Sequence, residues 1–177
     1  LTVLGDEKVY LLAFDRPNSS ANIFDIETLT ELDNHLKTLS GDTGMRGLIF
    51  TSAKKSIFIA GADINQLSGV ASEKELMDII HLGQQVFNRI AAFHVPTVAA
   101  IHGACLGGGY ELCLACDYRI ASKDKATQIG LPETSLGIMP AWGGATRLPR
   151  LIGLPKALDL ILNGKRLAAV PALKCGM

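Results

Sequence analysis

The sequence predicts an α/β domain, and three observations carry that prediction. Short apolar runs, such as residues 47–51 and 97–101, alternate with stretches whose apolar residues recur at helical spacing. The chain has 177 residues, 48% hydrophobic and 19% charged, which suits one domain with a sizeable core rather than a disordered chain. The apolar run 97–101 leads into the turn Gly107-Gly108-Gly109, from which a helix over 110–116 starts at once.

Residues 1–4 and 8–14 read as two short strands around a turn at Gly5-Asp6. Residues 15–20 form a loop through Pro17 and small polar side chains. Asp25 can cap a helix with Ile26, Leu29, Leu32, Leu36 and Leu39 on one face, ending at Ser40-Gly41-Asp42. Residues 47–51 make a buried strand, and residues 57–64 are unusually apolar for a loop. Ser72 and Glu75 make a capping box for a long helix that buries Leu76, Ile79, Ile80, Val86, Phe87 and Ile90. Pro96 bars its continuation. Further on, 118–121 and 127–129 read as strands about a turn at 123–125. A loop over 137–140 leads to Trp142, which reads as packing, and helices follow at 146–152 and 155–162. The chain begins at Leu1 and stops inside an apparent helix over 171–177, so residues 1–177 read as one domain of a longer protein.

Composition narrows the function. Lys+Arg and Asp+Glu are both 17, a balance that argues against a nucleic-acid partner, which requires a basic patch. No apolar run reaches the ~18 residues of a membrane span, and no signal peptide is visible. Cys105, Cys113, Cys116 and Cys175 read as reduced thiols of an intracellular protein. Cys113 and Cys116 form a C-x-x-C, but within a buried helix and without a second pair, which disfavours zinc. His35, His81, His94 and His102 lack ligand spacing, so no metal is expected, and His102 reads as a satisfied core histidine.

The candidate chemistry centres on two carboxylates. Glu111 falls in the first turn of the helix after the glycines, where free amides and the helix dipole favour a negative group. Glu133 follows Pro132 twenty-two residues later. A glycosidase pair, a metal site or an acid/base pair could each use two glutamates. Gly109-Tyr110-Glu111 is not the Gly-Lys-Ser/Thr of a P-loop, and Leu112 occupies the position where a dinucleotide fingerprint needs glycine or alanine. No G-x-S-x-G elbow is present. An acid/base pair beside backbone donors suits a reaction that passes through a thioester enolate. Asp63 could cap the turn after Ala62 or touch substrate, and Lys54-Lys55 could be solvated or contact phosphate.

Three blocks resemble the crotonase (enoyl-CoA hydratase/isomerase) superfamily in order and spacing. They are the segment from Phe58 to Ile64, the segment from Gly103 to Leu112, and Gly130-Leu131-Pro132-Glu133 with Leu136-Gly137-Ile138-Met139-Pro140. Residues 116–124, 146–153 and 162–167 look like the N-terminal hydratase part of multifunctional fatty-acid oxidation proteins. The resemblance implies a spiral of ββα units with two sheets at a steep angle and outer helices, here without the family's C-terminal helices. It implies hydration of trans-2-enoyl-CoA, with Δ3,Δ2-enoyl-CoA isomerisation or a silent acyl-CoA-binding fragment as alternatives. The amides of Ala62 and Gly108 would form an oxyanion hole. Glu111 would act mainly as base on water and Glu133 mainly as proton donor to the α-carbon. Ala60, Asp63, Ile64, Leu106, Gly107, Leu131, Pro132 and Leu136 would line the substrate path. No cofactor is implied beyond the CoA of the substrate. A homo-oligomer (trimer) or a multienzyme β-oxidation complex is implied, in the bacterial cytoplasm or, alternatively, the mitochondrial matrix.

Overall fold

The computed structural model describes residues 1–5 and 8–177. The expected turn at Gly5-Asp6 therefore lies partly outside the described residues. Five strands form one sheet: β1 (Thr2–Leu4), β2 (Val9–Phe14), β3 (Gly47–Ser52), then two strands numbered β5 (Thr97–Ile101) and β7 (Tyr118–Ala121), in that spatial order. β1 runs antiparallel to β2, and every other neighbour pair is parallel. The second sheet has the order β4 (Ile57–Ile59), β6 (Ala104–Leu106), β8 (Gln128–Gly130), β9 (Arg166–Leu167), parallel except for the last pair.

The chain alternates between the sheets. β3, β5 and β7 lie in the first, and the strand that follows each, β4, β6 or β8, lies in the second. After β4 come α2 (Ile64–Ser68) and α3 (Glu73–Ala91), after β6 comes α4 (Gly108–Ala115), and after β8 comes a 3-10 turn (Glu133–Leu136). This is a repeated ββα unit, as the resemblance to the crotonase superfamily implied. Gly103 makes the step from β5 to β6 at φ +66°, and a Cβ there would run into the backbone of Ser56 and Ile57. That close approach requires glycine.

The helices follow their caps. Asp25 accepts from Thr28 N at 2.8 Å and starts α1 (Ile26–Ser40), which buries Leu29, Leu32, Leu36 and Leu39 and packs on α3. Ser72 Oγ accepts from Glu75 N at 3.2 Å, as the capping box requires, but Glu75 reaches back to Ala71 N at 2.9 Å rather than to the cap residue itself. α5 (Gly144–Ile152), α6 (Leu154–Leu162) and α7 (Ala169–Cys175) complete the described chain. Phe24, Phe87 and Trp142 meet edge to face in the core, with centroids 5.4–6.0 Å apart. Trp142 is thus packing, as expected.

Three elements depart from the sequence reading. Residues 57–64 are a loop only in part: Ile57–Ile59 form β4, Ile64 starts α2, and residues 60–63 connect them. β6 intervenes between β5 and the glycine turn, and β9 was not anticipated. All are strands of two or three residues, too short to show a period. His102 is half-buried and donates from Nε2 to the carbonyl of Lys54 at 2.6 Å.

Candidate active site

β6 ends at Leu106, and Gly107 then takes φ +53°, ψ −128°, a conformation open to glycine. Its N–H donates to the Gly130 carbonyl at 3.0 Å, tying the turn to β8. α4 starts at Gly108, and all eight of its residues are buried. Burying a helix N-terminus obliges its free amides to find partners. Among the described residues the Gly108 amide has no acceptor, and neither has the amide of Ala62. Gly61, just before Ala62, is held by its carbonyl accepting from Phe24 N at 2.8 Å.

Both residues line one cleft of about 550 Å³. Its walls come from Ala60, Gly61, Ala62 and Ile64, from Leu67, Ser68, Leu76 and Ile80 of α2 and α3, and from Ile138, Met139, Ala141 and Trp142. Glu111 and Glu133 supply its ionisable side chains. The lining is otherwise almost wholly apolar, the form expected of a pocket with a few convergent polar groups.

The two glutamates sit in different settings. Glu111 is 2% exposed, and its Oε1 accepts from the amides of Trp142 and Gly144, both at 2.8 Å. Burial raises its pKa to about 7; the Gly144 amide opposes the shift, nearby Glu133 adds to it, and the Trp142 amide and Arg147 oppose it. Glu133 is 8% exposed and opens the 3-10 turn after Pro132. Its Oε2 is buried and has no hydrogen-bond partner among the described residues, and burial raises its pKa as well. An ideal Cβ on Gly107 would lie 3.1 Å from Glu133 Oε1, so the glycine turn also makes room for this carboxyl. Two carboxyls whose pKa values burial raises, beside two unpaired amides, can move protons and steady an oxyanion.

Of the residues singled out from sequence, Ala60, Ala62, Ile64, Gly107, Gly108, Glu111, Pro132, Glu133 and Leu136 line this cleft. Three do not. Asp63 caps α2 by accepting from Asn65 N and Gln66 N at 2.9 and 3.3 Å. Leu131 is 1% exposed and lies beside Gly144, and Leu106 is half-buried with its carbonyl next to Gly61; neither is among the lining residues. Lys54 pairs with Asp15 at 2.6 Å, while Lys55 is exposed. Sequence reasoning missed the Trp142 and Gly144 amides as the partners of Glu111, because an amide donor leaves no side-chain signature. Cys113 lies 3.5 Å from Cys105 and Cys116 bonds to Leu112, all within the core and unoxidised. Among the described residues no group of three or more His, Cys, Asp or Glu could hold a metal ion.

The family model for enoyl-CoA hydratase/isomerase matches residues 5–177. The chain belongs to the enoyl-CoA hydratase/isomerase family. It is 42% identical over 172 residues to the fatty acid oxidation complex subunit alpha of Shewanella oneidensis, covering 97% of this chain and 24% of that protein. The match to the corresponding Shewanella loihica protein has the same extent. The chain thus spans about a quarter of the length of these curated relatives. Among solved structures, the enoyl-CoA hydratase of Bacillus anthracis superposes with TM-score 0.90 at 36% identity, over 98% of this chain and 66% of that one. Pseudomonas aeruginosa DspI gives TM-score 0.90 at 32% identity, over 99% and 70%.

Proposed function

We propose that this domain hydrates trans-2-enoyl-CoA thioesters to 3-hydroxyacyl-CoA, one step of fatty-acid β-oxidation. The observation that carries the reading is the asymmetry of the two carboxyls beside two unpaired amides. Glu111 receives two N–H groups on one oxygen, which favours its anion. Glu133 keeps a buried, unpartnered oxygen, which favours its acid. In the proposed reaction the thioester carbonyl lies against the amides of Ala62 and Gly108. Glu111 takes a proton from water as the water oxygen bonds to C3. The π electrons move toward the carbonyl oxygen, giving an enolate held by the two amides. The enolate collapses as C2 takes the proton of Glu133. Because the carboxyls are coupled, the division between base and acid belongs to the pair.

CoA enters as part of the substrate, and these four groups supply the acid/base and electrostatic chemistry the addition requires. A second reading, Δ3,Δ2-enoyl-CoA isomerisation, draws on the unpaired oxygen of Glu133, since one carboxyl suffices to shuttle a proton between C2 and C4. Exposed Leu154, Leu158 and Leu162 on α6, with Val170 and Leu173 on α7, suit a protein contact in an oligomer or multienzyme complex of the bacterial cytoplasm. The test is a spectrophotometric assay of the full-length protein with crotonyl-CoA, longer 2-enoyl-CoAs and 3-enoyl-CoAs. Turnover of 2-enoyl-CoA supports hydration. Turnover of the 3-enoyl series alone would replace hydratase by isomerase, and none with either would sink both.

A further inference from the structure

Glu111 is carried by α4, but its hydrogen bonds come from the segment joining the 3-10 turn to α5 (Trp142) and from the first residue of α5 (Gly144). Each amide belongs to a peptide unit whose other end is a carbonyl, and those carbonyls are also held. The Ala141 carbonyl, which shares a peptide with the Trp142 N–H, accepts from Gln84 Nε2 of α3 at 2.8 Å. The Gly143 carbonyl, which shares a peptide with the Gly144 N–H, accepts from the amides of Thr146 and Arg147 at 3.1 and 2.7 Å. Between them, the Trp142 carbonyl accepts from Arg147 Nη1 at 3.0 Å, and Arg147 Nη2 donates to Asn88 Oδ1 at 2.6 Å.

In a trans peptide the C=O and N–H point to opposite sides. A donor on the Ala141 oxygen therefore aims the Trp142 N–H the other way, at Glu111, and polarises it. The helix backbone performs this task for the Gly144 amide. For the Trp142 amide the task falls to one side chain. We propose that Gln84 is a positioning residue that works through the Ala141–Trp142 peptide. It fixes Oε1 of Glu111 against the segment and leaves Oε2 as the oxygen that exchanges the proton with substrate water. This inference rests on the proposed role of Glu111 as base.

The charged groups bearing on Glu111 are Glu133 from the 3-10 turn and Arg147 from α5. β4 carries no titratable side chain, β6 carries the Cys105 thiol, engaged with Cys113, and α3 offers the neutral Gln84. Removing Gln84 leaves these charges in place, so any shift in Glu111 titration reports the peptide. Weakening a donor to a carboxylate raises its pKa.

The test compares the full-length protein with Gln84→Met, which keeps the shape without the donor, and Gln84→Lys, which keeps a donor. Gln84→Ala is the substitute if Gln84→Met folds poorly. The carboxyl carbon of Glu111, assigned by its loss in Glu111→Gln, is titrated by NMR with 13C-labelled glutamate. Hydration of crotonyl-CoA is followed against pH. Gln84→Met is expected to move the Glu111 titration and the acid limb of kcat up by about half a pH unit. kcat should fall about tenfold with KM little changed. Gln84→Lys should restore most of kcat; its added charge lowers the Glu111 titration directly, so the titration is read from Gln84→Met and Gln84→Ala. An unmoved Glu111 titration in Gln84→Met and Gln84→Ala would overturn the proposal, whatever happens to activity. A shifted titration in a protein with no hydratase activity would uphold the positioning and instead sink the functional reading.

Discussion

The two sheets share a repeat but divide the work. The first is built from strands of up to six residues, carrying Leu12, Phe14, Leu48 and Phe50 into the core, and none of its strands lines the cleft. The second is built from strands of two or three residues, and the cleft is assembled at and beyond their ends. Ala60 to Ala62 follow β4, Gly107 and Gly108 follow β6, and Pro132 and Glu133 follow β8. Three parallel strands deliver three chain segments to one place. The difference shows that the short sheet depends on the long one. Asn22 makes the dependence concrete. Its Nδ2 reaches the Phe14 carbonyl and Ser52 Oγ of the first sheet and the Phe58 carbonyl of the second, at 3.0, 2.9 and 3.1 Å.

The largest effect is expected where the short sheet delivers its carboxyls. Glu111→Gln and Glu133→Gln should each cut hydration by ~10²–10⁴-fold, since a near-isosteric amide cannot transfer the proton. Acyl-CoA binding, followed by calorimetry with a saturated acyl-CoA, should persist. Near-parental turnover in either variant would remove that residue from the mechanism. Stability should move the other way. Both carboxyls have folded pKa values above their unfolded ones, to about 7 for Glu111, so the folded state binds the extra protons. That stability is full below the unfolded pKa and is lost as pH rises through the folded one. Glu111→Gln should therefore melt higher than the parent at pH 8, by about 3 °C, with the gap closing toward pH 5.

The next effect breaks the step between the sheets. Gly103→Ala places a Cβ on the Ser56 backbone at positive φ, and a loss of roughly 3 kcal/mol is expected in urea denaturation. A wild-type midpoint would show that the step can rebuild itself. Asn22→Ala strips the donor shared by the two sheets; the Phe14 carbonyl keeps the Ala53 N–H and Ser52 Oγ keeps the Lys54 N–H, so the Phe58 carbonyl bears most of the loss, at a cost of about 1–2 kcal/mol. It should lower activity as well as stability, because β4 carries Ala60 to Ala62 behind it. The smallest effect sharpens the contrast. Asp25→Ala removes the cap of α1 and the partner of Arg16, one residue from the Phe24 backbone that holds Gly61, and should cost about 1 kcal/mol while leaving kcat unchanged. A matching fall in kcat would mean that the helices around the first sheet also set the site.

The sequence by itself determined the long sheet, the capped helices and both carboxyls. Runs such as residues 47–51 and the faces of α1 and α3 carry a period that burial imposes, and Asp25 and Ser72 mark the helix starts chemically. Gly107 to Gly109 announced a close backbone approach, and Glu111 stood directly beyond them. The tertiary structure alone decided the short strands, because three residues fix no period and pair only where neighbours present an edge. It alone decided between the two readings of Asp63, as a cap, and buried Leu131 beside Gly144. It alone gave Glu111 its partners. Those partners are backbone N–H groups, which every residue except proline possesses, so their role comes from where the chain puts them and not from which side chains they bear.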